Sequence, residues 1–218
     1  MRISLARTLS RSAANGPGER FVVWVQGCPL ACPGCWNPDT WDFSRHDVRE
    51  VSTLVAEILA TPGIKGVTFT GGEPFMQASS LAEVARSVRR AGLSVFVFTG
   101  HDLAELTGDA HGALLAETDV LVAGRFVESK LVQDVPWIGS SNQRVHFLTD
   151  RYAPTDMERS PVAEFHLNPD GSTFVTGFPP AGVLSRQLET DDRPPADAAV
   201  ESAPRRSRML QKTRFENQ

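Results

Sequence analysis

No stretch of this sequence is apolar for long enough to cross a bilayer, which takes a helix of about 20 residues. Residues 1–7 also lack the apolar stretch of a secretory signal. No charge of one sign dominates, because 22 basic and 26 acidic residues leave a net charge of −4, which gives no electrostatic reason for nucleic-acid binding. These absences predict a cytoplasmic protein whose partners include neither a membrane nor a nucleic acid.

Cysteine is scarce, and its three occurrences fall close together. Cys28, Cys32 and Cys35 lie within a span of eight residues. An odd, clustered set is a poor framework for disulfides, and in a reducing compartment a tight cluster of cysteines is typical of metal binding. The cysteines are therefore the first candidates for a functional site.

Two kinds of metal site suit this spacing. A closed structural zinc site needs four ligands, so a zinc knuckle would have to take His46 or another histidine as its fourth. On a four-iron cluster the three thiolates would leave one iron open, and an open coordination position is typical of a reactive metal site. The amino and carboxylate groups of S-adenosylmethionine (SAM) could chelate that iron. The spacing alone leaves both sites open.

Apolar runs alternate with amphipathic segments along the first 150 residues. The apolar and β-branched runs predict strands at Arg2–Leu9, Phe21–Val25, Val67–Thr70, Val95–Phe98 and Val120–Val122. Helical periodicity predicts one helix from Asp47, with Asp47 and Glu50 as its cap pair, and another from Ser80, with Ser80 and Glu83 as a capping box. A further helical region is predicted near Leu103–Leu115. This alternation favours an α/β fold with a parallel sheet flanked by helices.

Unusual segments follow the ends of the predicted strands. They are the cysteine loop, Gly71-Gly72-Glu73-Pro74, Thr99-Gly100 and Gly124-Arg125. Ligands of parallel sheets bind at the carboxyl ends of the strands, so we expect these segments to meet in one site. Paired glycines let a backbone approach a ligand closely, and the Glu73 carboxylate can accept a hydrogen bond from an ammonium group.

Four blocks of sequence, in this order, resemble the radical SAM superfamily and, within it, the small activating enzymes of anaerobic ribonucleotide reductase. The blocks span residues 15–18, 27–41, 71–74 and 138–146, with Thr99-Gly100 and 124–127 between them. The resemblance covers residues 1–148. Gly34 precedes the third cysteine and Trp36 follows it, which agrees with the reductase-activating branch. One departure is Ala123-Gly124, where the activating enzymes usually carry Asp-Gly.

The resemblance implies a partial, open β/α barrel of the radical SAM type over residues 1–150. It implies a [4Fe–4S] cluster on Cys28, Cys32 and Cys35. The residues that it places beside SAM are Gly34, Cys35, Trp36, Gly71, Gly72 and Glu73. The implied activity is reductive cleavage of SAM to a 5′-deoxyadenosyl radical that creates a glycyl radical on a partner such as anaerobic ribonucleotide reductase, with flavodoxin or ferredoxin as electron donor.

Two alternatives stay open at this point. One is a radical SAM tailoring enzyme that acts on a peptide or a small metabolite. The other is an iron–sulfur or zinc protein whose role is structural or electron-carrying. SAM cleavage under reducing conditions would separate the second alternative from both enzymes.

The chain changes character after residue 150. Residues 151–184 predict a hairpin extension, with strands around Phe165-His166-Leu167 and Thr173-Phe174-Val175. We expect Phe165, Leu167, Phe174 and Val175 to pack on the domain. Residues 185–218 are rich in proline and charge and poor in aliphatic clusters, which predicts a disordered tail.

Truncation after Gly182 is expected to leave both SAM cleavage and activation of the partner within about two-fold of the full chain, because the tail cannot bury enough apolar area to order itself. Chromatography of 5′-deoxyadenosine and electron paramagnetic resonance of the partner measure the two activities. Intact cleavage with lost activation would contradict this prediction and would make the basic residues 205–214 a docking element.

Overall fold

The computed structural model describes residues 1–44, 47–132, 135–167 and 170–178. Its strands are β1 (Arg2–Ser12), β2 (Arg20–Val25), β3 (Asp47–Glu50), β4 (Gly66–Gly71), β5 (Ser94–Thr99), β6 (Val120–Ala123), β7 (Arg144–Phe147), β8 (Ala163–Leu167) and β9 (Thr173–Gly177). Its helices are α1 (Val51–Ala60), α2 (Ala78–Arg90), α3 (Asp109–Ala116) and α4 (Pro154–Glu158). None of the helices in these ranges has the length and apolar character that a bilayer crossing requires.

Seven strands form one sheet in the order β3-β1-β2-β4-β5-β6-β7. The four strands β2, β4, β5 and β6 run parallel, as the alternation of strands and helices predicts. The outer strands β1, β3 and β7 pair antiparallel. Within the described residues β3 and β7 do not pair with each other, so the sheet is open. The predicted α/β class is confirmed, and the partial-barrel curvature stays a prediction.

One face of the sheet packs on α1, α2 and α3. Side chains alternate between the two faces of a strand, so every second residue of the central strands faces these helices. The buried residues of this layer include Val23, Val25, Val67, Phe69, Val95, Val97 and Leu121 from the strands and Leu54, Ile58, Leu81, Val84, Val88 and Leu114 from the helices. This layer is the main core and leaves the carboxyl ends of the strands uncovered.

The other face has a smaller core. Phe96, Val120 and Val122 pack against Trp137, which is fully buried although its φ of +72° is unusual for a bulky residue. Partly buried side chains from β7, α4 and the segments beside them complete this cluster. Trp137, in the segment before β7, therefore covers this face of the sheet at β5 and β6.

A buried guanidinium joins the amino ends of three strands on the same face. Arg20 donates to Thr68 Oγ1 at 2.8 Å, to Ser94 Oγ at 2.9 Å, and to the carbonyl oxygens of Pro17, Val67 and Ser94. Its charge also lies 5.7 Å from the centre of the Phe96 ring. Burial lowers the pKa of Arg20 to about 10. Among the described residues it forms no ion pair, and carbonyl and hydroxyl oxygens surround its charge.

Three predicted element boundaries differ from the structure. Asp47–Glu50 forms the strand β3, which pairs with the first residues of β1. Helix α1 begins only at Val51, and Glu50 at its N-cap position makes no side-chain capping hydrogen bond. The capping box at Ser80 is also wrong, because α2 begins at Ala78 and the Ser80 hydroxyl donates to the Arg2 carbonyl. In both cases a contact with β1 replaces local capping. Strand β1 itself continues past Leu9 to Ser12.

The C-terminal hairpin is confirmed as the antiparallel pair β8 and β9. Its packing differs from the expectation, because Phe165 and Leu167 are 59% and 80% exposed while Phe174 and Val175 are partly buried. The register explains this result: Phe165 and Leu167 share the outer face of β8, and Glu164 on the inner face contacts the domain. The division into units at residues 150 and 184 stays a prediction, and the tail at 185–218 lies outside the described residues.

Replacing Arg20 by methionine is expected to lower the free energy of unfolding by about 3 kcal/mol, because buried carbonyl and hydroxyl groups lose their donor. The midpoint of urea unfolding measures the change. Arg90→Met is the matched control: Arg90 is exposed on α2, so its replacement is expected to change stability by less than about 0.5 kcal/mol. Equal midpoints for the two variants would contradict a structural role for Arg20.

Candidate active site

The carboxyl ends of β2, β4, β5 and β6 open into one cleft. Each predicted segment contributes to its lining: the cysteine loop, Gly71-Gly72, Thr99-Gly100 and Gly124. The strands run parallel, so the segments that follow them meet at the same edge of the sheet. The expectation that these segments come together is confirmed.

The cysteine loop is held by backbone contacts at both of its ends. Gly27 and Cys28 donate to the carbonyls of Thr40 and Trp41, and Cys35 donates to the Cys32 carbonyl at 3.1 Å. All three cysteines line the cleft and are half-buried. The loop therefore brings the three cysteines to the wall of one cleft.

Burial raises the pKa of the Cys28 and Cys32 thiols. The neighbouring Cys35 adds to this rise at Cys32, and the Arg125 guanidinium opposes it. A metal bound among the thiols would reverse the rise, because a coordinated thiol is deprotonated.

The donor set fits an iron–sulfur cluster. Thiolates are soft ligands that select such clusters, and the sequence holds no fourth cysteine to close the set. Within the ranges that the structure describes, no three His, Cys, Asp or Glu side chains are arranged to hold a single metal ion. His46, the candidate fourth ligand of a zinc knuckle, lies outside those ranges.

The paired glycines pack backbone against backbone on the segment that leads into the cysteine loop. A Cβ at Gly71 would lie 2.7 Å from Trp24 Cα, and one at Gly72 would collide with the Gly27 carbonyl. Gly72 donates to the Val25 carbonyl at 2.8 Å. No larger residue fits at either glycine without moving β2 or the cysteine loop. The two loops therefore form one unit.

Glu73 lies beneath this unit and is 1% exposed. Its carboxylate accepts from Thr99 Oγ1 at 2.8 Å and from the amides of Phe75 and Gly100, each at 2.9 Å. Burial raises the pKa of Glu73, and these three donors oppose the rise. Within the described residues its polar contacts are thus to the protein, and they tie the loop after β4 to the loop after β5.

The six residues predicted to contact the cofactor fall into two groups. Cys35, Trp36, Gly71 and Gly72 line the cleft, whereas Gly34 and Glu73 are not part of its lining. Gly34 is exposed, with a φ of +70°, and a Cβ there would lie 3.0 Å from the Glu128 side chain. Contact of all six residues with the cofactor stays a prediction.

Sequence reasoning missed two polar side chains that line the cleft. The Arg7 guanidinium lies between the rings of Trp24 and Phe174, 4.8 and 4.6 Å from their centres. Asn15 donates to Thr176 Oγ1 at 2.7 Å and so joins the loop before β2 to the hairpin. The block at residues 15–18 marked Asn15 without giving it a role, whereas no sequence signal marked Arg7.

The polar segment at residues 140–143 braces neighbouring loops. Gln143 donates to the Gly124 carbonyl at 3.0 Å and accepts from the Gly139 amide at 2.7 Å. Its side chain also lines the cleft. The described contacts therefore give this segment a role in holding the loop after β6.

Comparison with known proteins adds independent information. A family model described as "4Fe-4S single cluster domain" matches residues 14–146. The anaerobic ribonucleoside-triphosphate reductase-activating protein of Vibrio cholerae is 35% identical over 144 residues, which cover 62% of this chain and 92% of that protein. Its counterpart in Escherichia coli K12 is 33% identical, with 62% and 92% covered, and that of phage T4 is 31% identical, with 62% and 88% covered.

Among solved structures, that of QueE from Escherichia coli overlaps with 47% of this chain and 55% of its own length, at a TM-score of 0.40 and 18% identity. This overlap is too slight to support an argument. The matches in sequence are sufficient by themselves: the chain belongs to the 4Fe-4S single cluster domain family and, within it, to the anaerobic ribonucleoside-triphosphate reductase-activating proteins.

Proposed function

We propose that this chain is a radical SAM activase that generates a glycyl radical on an anaerobic ribonucleotide reductase. The observation that carries this proposal is the meeting of three cysteines, without a fourth in the sequence, and a pair of backbone-packed glycines in one cleft. The printed names of the relatives supply the partner.

In this proposal Cys28, Cys32 and Cys35 would hold a [4Fe–4S] cluster, with SAM bound beside it. The bound cluster would supply one electron for the cleavage of SAM into methionine and a 5′-deoxyadenosyl radical, which would take a hydrogen atom from a glycine Cα. The electron comes from a one-electron donor protein, for which flavodoxin or ferredoxin is our proposal.

The protein contributes binding and positioning. The backbone of Gly71-Gly72 receives the methionine part of SAM, and Trp36 lies beside SAM next to the third cysteine. Glu73 positions these groups indirectly, because its carboxylate fixes the loops after β4 and β5 relative to each other. We also propose that the open sheet curves as a partial barrel and that the protein is cytoplasmic, where thiols stay reduced.

The alternatives are less well supported. A tailoring enzyme for a peptide or small metabolite would share the cleft, but the relatives at 31–35% identity are named as reductase-activating proteins. A structural zinc or electron-transfer protein has no need of a glycine pair packed against the cysteine loop. The reductase activase is therefore the function that we propose.

Single replacement of Cys28, Cys32 or Cys35 by alanine is expected to abolish cluster binding, because the sequence offers no substitute thiolate. Iron and sulfide analysis after anaerobic reconstitution measures the loss relative to the unmodified chain. Stoichiometric zinc without iron-dependent absorbance in the anaerobically purified chain would contradict the cluster and support a zinc site.

Glu73→Gln is expected to weaken SAM binding by about ten-fold, because an amide NH₂ would face one of the donors that the carboxylate now accepts. Cluster iron is expected to stay near the value of the unmodified chain, since the thiol ligands are elsewhere. Equilibrium binding of SAM to the reconstituted protein measures the effect. Glu83→Gln, on the exposed face of α2, is the matched control. Equal affinity in both variants would show that the cleft does not depend on Glu73.

A further inference from the structure

Four aromatic side chains from four separate segments contact one another in the cleft. They are Trp36, Phe98, Phe126 and Phe178, here called the aromatic rim, and all four line the cleft and are half-buried. Three of them come from the cysteine loop, the end of β5 and the segment after β6. Phe178 comes from the C-terminal hairpin, outside the residues 14–146 that the family model matches.

Phe178 joins the other members of the aromatic rim. Its ring centre lies 4.7 Å from that of Trp36 and 6.1 Å from that of Phe98. Phe126 reaches Trp36 at 6.1 Å and meets Phe178 over Gly139, where a Cβ would lie 3.2 and 3.3 Å from the two rings. Without Phe178 the rim would be open between Trp36 and Phe98.

The hairpin holds Phe178 in place through several contacts. Its backbone N–H donates to the Val162 carbonyl at 2.6 Å. Glu164 accepts from the Ala13 amide at 2.9 Å, and Thr176 accepts from Asn15. Phe174 packs on the Arg7 guanidinium from the same strand. These contacts fix the end of β9 at the cleft, so Phe178 forms part of its wall.

We propose that Phe178 determines substrate specificity by completing an apolar rim that admits an extended, glycine-bearing segment of the partner polypeptide. This inference rests on the proposed function. Rings from four segments give this part of the cleft an apolar surface, and a glycine backbone can pack closely against it because glycine brings no side chain of its own. A larger side chain would hold the backbone farther from the rings. The rim thus holds the glycine Cα–H close to the radical.

Efficient transfer of the hydrogen atom needs the reacting atoms about 3–3.5 Å apart, and a misplacement of about 1 Å can lower the rate by about a hundred-fold. A wider opening would let the glycine segment move away from the radical. The radical would then more often take a hydrogen atom from a C–H bond of a buffer molecule, or an electron from the reductant and a proton, while SAM cleavage itself would continue. The quantity that reports on the rim is therefore the amount of 5′-deoxyadenosine formed for each glycyl radical.

The test compares Phe178→Ala with Phe165→Ala, which removes an exposed phenylalanine from the outer face of the same hairpin. The reconstituted full chain is mixed with SAM, a reductant and the anaerobic ribonucleotide reductase of the same organism. Chromatography measures 5′-deoxyadenosine, and electron paramagnetic resonance measures the glycyl radical. Phe178→Ala is expected to raise the ratio of the two products by about ten-fold or more, while Phe165→Ala leaves it within about two-fold of the unmodified chain.

Two further variants separate positioning from folding. Phe178→Tyr keeps the ring and is expected to restore the ratio, whereas Gly139→Ala pushes Phe126 and Phe178 apart and is expected to raise it. Cluster iron is expected to stay near normal in all four variants, and SAM cleavage without the partner is expected to stay near normal in Phe165→Ala, whose side chain lies outside the cleft. A misfolded hairpin would also displace Phe178 and raise the ratio, so equal thermal unfolding midpoints for Phe178→Ala and Phe165→Ala assign the change to the lost ring.

Three outcomes would overturn the inference. An unchanged ratio in Phe178→Ala would show that the aromatic rim does not determine specificity. A larger effect of Phe165→Ala would show that the outer face of the hairpin recognises the partner. A parallel loss of SAM cleavage without the partner would assign Phe178 to the cofactor pocket. An unmodified chain that cleaves SAM but forms no glycyl radical on the reductase would instead refute the proposed function, and with it the substrate assigned to the rim.

Discussion

The close approach of two backbones at the ends of β2 and β4 is the constraint on which the site depends. Gly72 and Glu73 donate to the carbonyls of Val25 and Gly27, so the chain entering the cysteine loop and the chain leaving β4 move as one. Side chains are absent at Gly71 and Gly72 because Trp24 and Gly27 occupy the space. The cysteines and the proposed SAM contacts are therefore held at fixed positions relative to each other, as catalysis requires.

Buried polar groups fix the two ends of the sheet around this constraint. Arg20 joins three strands at their amino ends, and Glu73 joins the loops after β4 and β5 at the carboxyl ends. Each group is surrounded by hydrogen bonds from different segments, which compensate for its removal from water. The relative positions of the central strands are thus set by polar contacts as well as by the apolar core.

The parts of the fold that local pattern controls could be predicted from sequence. Parallel strands, three packing helices and the meeting of the cysteine loop with Gly71-Gly72 follow from periodicity and spacing. Contacts between distant segments could not be predicted in this way: Asp47–Glu50 pairs with β1, Arg7 lies between Trp24 and the hairpin, and Phe178 reaches Trp36. These contacts depend on tertiary placement, which neither propensity nor a short motif encodes.

The cysteine loop is short, and its length affects how the protein responds to loss of a cluster in oxygen. The entropy gained or lost on closing a loop grows with the number of residues it spans, and Cys28 to Cys35 spans only eight. The cores on both faces of the sheet contain none of the three cysteines. A cluster destroyed by oxygen therefore leaves most of the chain's packing intact, and we expect the damaged protein to be repaired by fresh iron and sulfide without first unfolding.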